Sequence, residues 1–343
     1  MPLPGWVRLT FEREPGYFAG CALAGPFCQT LCFRHHSGTL AAVACRSVRP
    51  LLVNGRPQPV GLLSHLRVDP RFVGRFLVQR GFSWLRELHQ DGRTAGYLAT
   101  ITRDNPLARA ILVRRPRGHM PEFRSLARLH CLALYCRRSR PRPLQGLEIL
   151  PGSRVDLGEV ARFLRRQGGR RQFFPLYSPE DLAGGPQTPG FQAEDLLVAL
   201  RRGRVVGTLG LWDQSGLRQT VVQGYALPPW LRALLSWTGR LGGAPPLPEP
   251  GQPLRQAYAS FLCLEDDCPV LLGALLQRLL ARAAGRGLHY LLLGLCEGDP
   301  LLPAARRQPH AAYESHLYAV SWKEDRFCER LDGRLPFVEL ACL

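Results

Sequence analysis

The order hairpin, strand, helix, strand, helix occurs twice along this sequence, and that repeat narrows its fold more than any other feature. In the first half, the apolar stretches Thr39 to Val48 and Gln58 to Val68 flank Val53-Asn54-Gly55-Arg56. Asn-Gly suits a two-residue hairpin turn because both central positions need positive φ, so the two stretches are expected to pair antiparallel. Asp69-Pro70 stops the second stretch, and Gly74 to His89 then places Leu77, Gly81, Leu85 and Leu88 on one helical face. After Asp91-Gly92, Tyr97 to Ile101 predicts a strand. Asp104-Asn105-Pro106 opens a short helix, with a capping side chain ahead of a proline suited to the first turn.

The second half uses different residues in the same order. Leu196 to Leu200 and Val205 to Leu211 flank the turn Arg202-Gly203-Arg204, Tyr258 to Leu264 is a strand, and Val270 to Ala284 has helical spacing. Leu291 to Leu295 is continuously apolar, as a strand buried on both faces should be. Asp299-Pro300 opens a helix, and Tyr313 to Ser321 is a last strand.

At 343 residues the chain is long enough for two domains. The Arg- and Pro-rich segment Cys136 to Leu144 has no apolar period and reads as a linker, which divides the chain into 1–145 and 146–343. Gly239 to Pro253, rich in Gly and Pro, reads as a loop inserted in the second part. No apolar run approaches the ~20 residues of a membrane span. Met1 to Thr10 lack the pattern of a secretory signal, so a cytoplasmic protein is expected.

Eleven cysteines are scattered through a chain too large to need disulfide staples, which fits reduced thiols. Cys28 and Cys32, followed by His35 and His36, form the tightest cluster. No second ligand pair follows at finger-like spacing, so a half-buried element with small apolar cysteines is expected there and no metal. The formal charge is +18, and Lys323 is the only lysine. The arginines are dispersed, in the manner of a GC-rich coding bias. The dense runs Arg114-Arg115-Pro116-Arg117, Arg137 to Arg142 and Arg165 to Arg171 carry no interleaved stacking aromatics. Nucleic-acid binding is therefore only a third-ranked function.

The stretch with chemistry in it is Arg67-Val68-Asp69-Pro70-Arg71-Phe72-Val73-Gly74-Arg75-Phe76-Leu77. A strand stops at a proline and a glycine-containing loop opens a helix. The N–H groups at such a helix start, with the positive end of its dipole, suit a phosphate. This junction resembles the acyl-CoA-binding motif of the GCN5-related N-acetyltransferases, and Asn105-x-x-Ala108 resembles the family's Asn-x-x-Ala segment. Over Gly61 to Ile111, Leu196 to Tyr225 and Ala257 to Trp322 the chain resembles bacterial two-domain members of that superfamily.

The resemblance implies an α/β (α+β) fold of two tandem domains, each a mixed, mainly antiparallel sheet flanked by helices. It implies acetyl-CoA as co-substrate and N-acetyl transfer to an amine of a small molecule or a protein. Leu66, Arg67 and Val68 would pair with pantetheine, while Val73, Gly74, Arg75, Phe76 and Leu77 would hold the pyrophosphate, with Asn105 beside the pantetheine arm. His65, just before the loop, is the candidate general base. Two departures favour a non-catalytic acyl-CoA sensor or scaffold as the alternative. Phe76 stands where the family has a small residue, and Ile111 and Leu112 stand where many members have a proton-donating tyrosine.

At the matching junction of the second half, Glu265-Asp266-Asp267 replaces the glycine loop. Three carboxylates would cap a helix and repel a pyrophosphate, so this half should keep the fold without the cofactor site. Trp212, Asp213, Gln214, Arg218, Gln219, Thr220 and Tyr225 are unusually polar and aromatic for a hairpin, and are candidates to line a pocket between the halves.

Overall fold

The computed structural model describes residues 7–113, 120–139, 144–228, 230–232, 237 and 243–343. The run from Arg114 to Arg117, the core of the linker at 140–143 and the start of the inserted loop at 239–242 lie outside the described residues.

Fourteen strands carry the fold among the described residues. In the first half they are β1 (Val7–Glu12), β2 (Phe27–Arg34), β3 (Leu40–Val53), β4 (Arg56–Val68), β5 (Tyr97–Thr102) and β6 (Glu122–Tyr135). In the second they are β7 (Glu148–Pro151), β8 (Phe174–Pro175), β9 (Leu196–Arg201), β10 (Arg204–Trp212), β11 (Gln219–Tyr225), β12 (Gln256–Leu264), β13 (Tyr290–Cys296) and β14 (His310–Ser321). The helices are α1 (Tyr17–Cys21), α2 (Leu77–His89), α3 (Pro106–Leu112), α4 (Leu157–Gly168), α5 (Pro269–Gly285), α6 (Leu302–Arg306) and α7 (Phe327–Arg330). None of the described helices is long and apolar enough to cross a membrane.

Twelve strands make one sheet in the order β2-β3-β4-β5-β14-β6-β13-β12-β10-β9-β7, with β8 beside β3. Only β4 with β5 and β12 with β13 pair in parallel; every other pair is antiparallel. The two hairpins turn as the sequence asks. Asn54 and Gly55 hold φ 51° and 77°, and Arg202 and Gly203 hold 52° and 76°. Each half sends its last strand into the other: β6 pairs with β13, β14 pairs with β5, and the two run together through the middle. A separate ribbon of β1 and β11 adds a further link between the two halves.

Alternating side chains split the core by face. In the second half, Leu197 and Ala199 of β9 join the cluster under α5 and α6, while Leu196 and Val198 join the one under α4. In the first half, Tyr97, Ala99 and Ile101 of β5 pack with Phe82 and Leu85 of α2. Leu98 faces the other side with Phe327 of α7 and Leu340 of the C-terminal segment. The outcome is a mixed α/β architecture with helices on both faces of a mainly antiparallel sheet.

Candidate functional site

β4 and β5 run side by side only from Gly61–Tyr97 to Leu63–Ala99. Past that point β4 stays with β3 while Thr100 to Thr102 of β5 stay with β14, so the strands part. A β-bulge marks the parting: Ser64 faces Cys45 and Arg67 faces Val43, with His65 at φ 56° between them. Gly61 is required at the closed end, because a Cβ there would sit 2.1 Å from the Tyr97 ring. The Tyr97 hydroxyl lies 2.9 Å from His89 Nδ1 and accepts from Arg46 Nε at 3.1 Å. Arg46, with no exposed surface, donates both Nη groups to Asp91 at 2.7 and 2.9 Å. That pairing holds the Asp91 carboxyl down at about 2 and ties β3 to the end of α2. The sequence reading missed this network, although Arg46, one arginine inside the apolar stretch Thr39 to Val48, was its signal.

Leu63 to Val68 remain accessible, and Arg67 is exposed. The chain leaves β4 through Asp69, whose carboxylate accepts from Arg71 N and Arg71 Nη2. It then enters α2 at Leu77, after an N-cap residue, Phe76, in the left-handed region at φ 55°. Arg80 N–H is bonded to Phe76 O, which leaves the N–H groups of Leu77 to Gln79 as the first-turn donors. Gly74, at φ 87°, has open space where a Cβ would be. Val73 is exposed, Arg75 lies over the Phe72 ring, and the Phe76 ring is 71% exposed. Asn105 caps α3, its Oδ1 accepting from Ala108 N at 3.0 Å. Leu66, Arg67, Val68, Val73 to Leu77 and Asn105 thus lie along one strand end and the starts of two helices.

His65 faces a different environment. Arg13 Nη2 donates to its Nε2, so the imidazole proton sits on Nδ1 and the ring offers no unused lone pair in this arrangement. Burial, with Arg13, Arg67 and Arg218 nearby, presses its pKa down to about 3.

The second half repeats the parting and closes it. β12 pairs with β13 only from Gln256–Tyr290 to Tyr258–Leu292, and a bulge puts Phe261 at φ 58°. Here Ala259 to Leu264 are all buried. Asp266 and Asp267 do not cap α5, contrary to the sequence expectation of a solvated cap. Both adopt positive φ and turn to the chain's own arginines. Arg170 lies 3.7 Å from Asp266, and Arg171 lies 2.8 Å from Asp267 and 3.2 Å from buried Asp299. Arg171, Phe337, Leu262, Leu264 and Leu295 leave a cavity of only about 20 Å³. The C-terminal segment completes the seal: Leu340 packs on Gly294, and the Glu339 carboxylate accepts from Phe261 N at 3.0 Å.

Of the residues expected to line a pocket between the halves, Gln214, Arg218, Gln219 and Thr220 line a pocket of about 280 Å³ with Arg255 and Tyr258, but all of its lining comes from the second half. Trp212, Asp213 and Tyr225 do not. Trp212 is fully buried and donates to Pro189 O, Asp213 accepts from Ser215 N, and Tyr225 donates to Pro248 O. The thiols also regroup. Cys32 is exposed and His35 stacks beside His36, whereas Cys28 meets Cys21 and Cys45.

No family model matches the sequence, and a search of curated proteins finds no match. Solved structures do match. A GCN5-related N-acetyltransferase from Sphaerobacter thermophilus superposes with a TM-score of 0.57 at 15% identity, over 99% of this chain and 100% of that one. The GCN5-related glucosamine N-acetyltransferase region of a fungal multi-domain GH3 β-N-acetylglucosaminidase gives 0.58 at 12% identity, over 88% of this chain and 34% of that one. Saccharomyces cerevisiae N-myristoyltransferase with bound myristoyl-CoA gives 0.54 at 9% identity, over 94% and 81%. The chain has the GCN5-related N-acetyltransferase fold.

Proposed function

We propose that the protein transfers an acyl group, acetyl in the simplest case, from acyl-CoA to the amine of a small molecule or protein, and that only the first half binds the thioester. The observation that carries this reading is the contrast between the two partings of the sheet. The segment Leu63 to Val68 is accessible beside the start of α2, while the matching Ala259 to Leu264 is buried under Arg171, Phe337 and Glu339. The similar solved structures include acetyltransferases and a complex with myristoyl-CoA, which supports a CoA thioester as the occupant.

In this reading the edge of Leu66 to Val68 pairs with the pantetheine amides, and the N–H groups of Leu77 to Gln79 take the pyrophosphate, with Gly74 permitting close approach. The bulge supplies the electrophile's support. In the second half the Phe261 N–H holds a carboxylate oxygen, and the corresponding His65 N–H would hold the thioester carbonyl oxygen as it gains charge. The amine nitrogen attacks the carbonyl carbon, the C–S bond breaks, and the thiolate takes up the proton the amine loses. Ile111 and Leu112 put no proton donor beside that sulfur, so positioning and carbonyl polarisation carry the rate.

Calorimetric titration with acetyl-CoA tests the reading, with Gly74→Glu in parallel. Micromolar binding abolished by the substitution, followed by turnover with a panel of amines, is expected. Binding without turnover would favour the acyl-CoA sensor, and no binding by the parent would overturn both.

A further inference from the structure

We infer that Cys21, Cys28 and Cys45 form a binding site for a thiophilic divalent cation, zinc above all. The three Sγ atoms all lie within 4.8 Å of one another, although the residues come from three separate elements. Cys21 ends α1, Cys28 is on β2 and Cys45 is on β3. Thr30 lies opposite Cys45 and Cys28 lies opposite Ser47, so Cys28 and Cys45 are diagonal neighbours on one face of the sheet. The site needs this register, which is why spacing along the sequence did not reveal it.

A zinc ion with Zn–S bonds of about 2.3 Å brings tetrahedral sulfurs to about 3.8 Å from one another. The side chains therefore need to close by roughly 1 Å, within the reach of small rotations about χ1. Charge also fits. Three thiolates around a divalent ion leave one negative charge, and the Arg13 guanidinium, 3.5 Å from Cys21 Sγ, balances it. Tyr17 Oη lies 2.9 Å from Cys45 Sγ, where it can donate to a ligating thiolate and orient it. Cys21 and Cys45 are buried while Cys28 is half-buried, so the ion enters from the Cys28 side and keeps a water there as fourth ligand. Each thiol that binds releases its proton to solvent. Arg13 also contacts His65, so an occupied site would fix α1 against the β4 bulge.

The test uses the full chain, reduced, stripped with a chelator and titrated anaerobically with cobalt(II) and then zinc. Expected are a thiolate-to-cobalt charge-transfer band saturating at one ion per chain, its displacement by zinc, and zinc protection of the half-buried Cys28 from maleimide labelling by mass spectrometry. Cys28→Ser, chosen because that side chain is only half-buried, should weaken zinc on the order of 100-fold or more while its metal-free circular dichroism matches the parent. Cys32→Ser should bind as the parent does. The absence of a charge-transfer band, or a band lost in Cys32→Ser and kept in Cys28→Ser, overturns the proposal.

Discussion

His65 of β4 and Phe261 of β12 occupy the same bulge in the two halves of the sheet, at φ 56° and 58°. Each follows the short parallel pairing from which the neighbouring strand departs. A non-glycine residue held in this region is strained, and strain kept at two equivalent places marks a device of the fold. What differs is what meets the bulge: a carboxyl group of the chain's own C-terminal segment at Phe261, and the Arg13 side chain on a partly exposed strand end at His65.

His65 should make stability depend on acid. Its folded pKa is about 3 against an ordinary 6.5, so between those values the unfolded chain binds a proton that the folded chain refuses. The contribution is complete above pH 6.5 and is lost as pH falls toward 3. In urea unfolding, the stability difference between parent and His65→Asn should shift by about 1.4 kcal/mol per pH unit between pH 5.5 and 4.5, and be flat above pH 7. Asparagine tolerates the left-handed backbone, which keeps the comparison clean. A flat difference throughout would mean that the imidazole titrates normally.

Phe76→Gly should stabilise the protein by about 0.5–1 kcal/mol, because glycine relieves the left-handed N-cap and the 71% exposed ring surrenders little burial. Acetyl-CoA should bind at least as tightly as to the parent, since the first-turn N–H donors do not depend on this side chain. Thermal melts and calorimetry together check it; weaker binding would mean the ring is part of the site.

Most of the repeat was legible because local signals and tertiary demands agreed. Asn54-Gly55 set one hairpin, Pro106 behind Asn105 opened α3, and the continuous apolar run Leu291 to Leu295 announced the doubly buried β13. β6 was not read, since its outward residues Glu122, Arg124 and Arg128 break the apolar pattern and its reason to be a strand lies in β13 and β14. The exchange of last strands is likewise invisible locally, because antiparallel pairing across the middle satisfies either arrangement of the same segments. Closure of the second parting depends on Arg171, Phe337 and Glu339, which converge from distant parts of the chain.

Arg171 bridges Asp267 and Asp299 where little water reaches, and burial pushes the Asp299 carboxyl up against that pairing. Arg171→Leu leaves two carboxylates without their cation and should cost about 3–5 kcal/mol in chemical denaturation. Adding Asp267→Asn and Asp299→Asn should recover most of the loss. Acetyl-CoA affinity should be unchanged in the triple variant; a large loss of binding there would place the cofactor in the second half.

Glu339 should show the opposite pH dependence to His65. Burial raises its carboxyl to about 7, against the opposing hydrogen bond from Phe261 N and the charge of Arg49. Between the ordinary carboxylate range and pH 7 the folded chain keeps a proton that the unfolded chain releases. That contribution is complete below about pH 4.5 and is lost as pH rises through 7. Glutamine is neutral throughout and its carbonyl can still accept from Phe261 N. Relative to the parent, Glu339→Gln should therefore gain on the order of 3 kcal/mol between pH 4.5 and pH 8. If the gain is absent, the carboxylate is ionised in the folded protein, and Arg49 must pair with it more closely than the static arrangement shows.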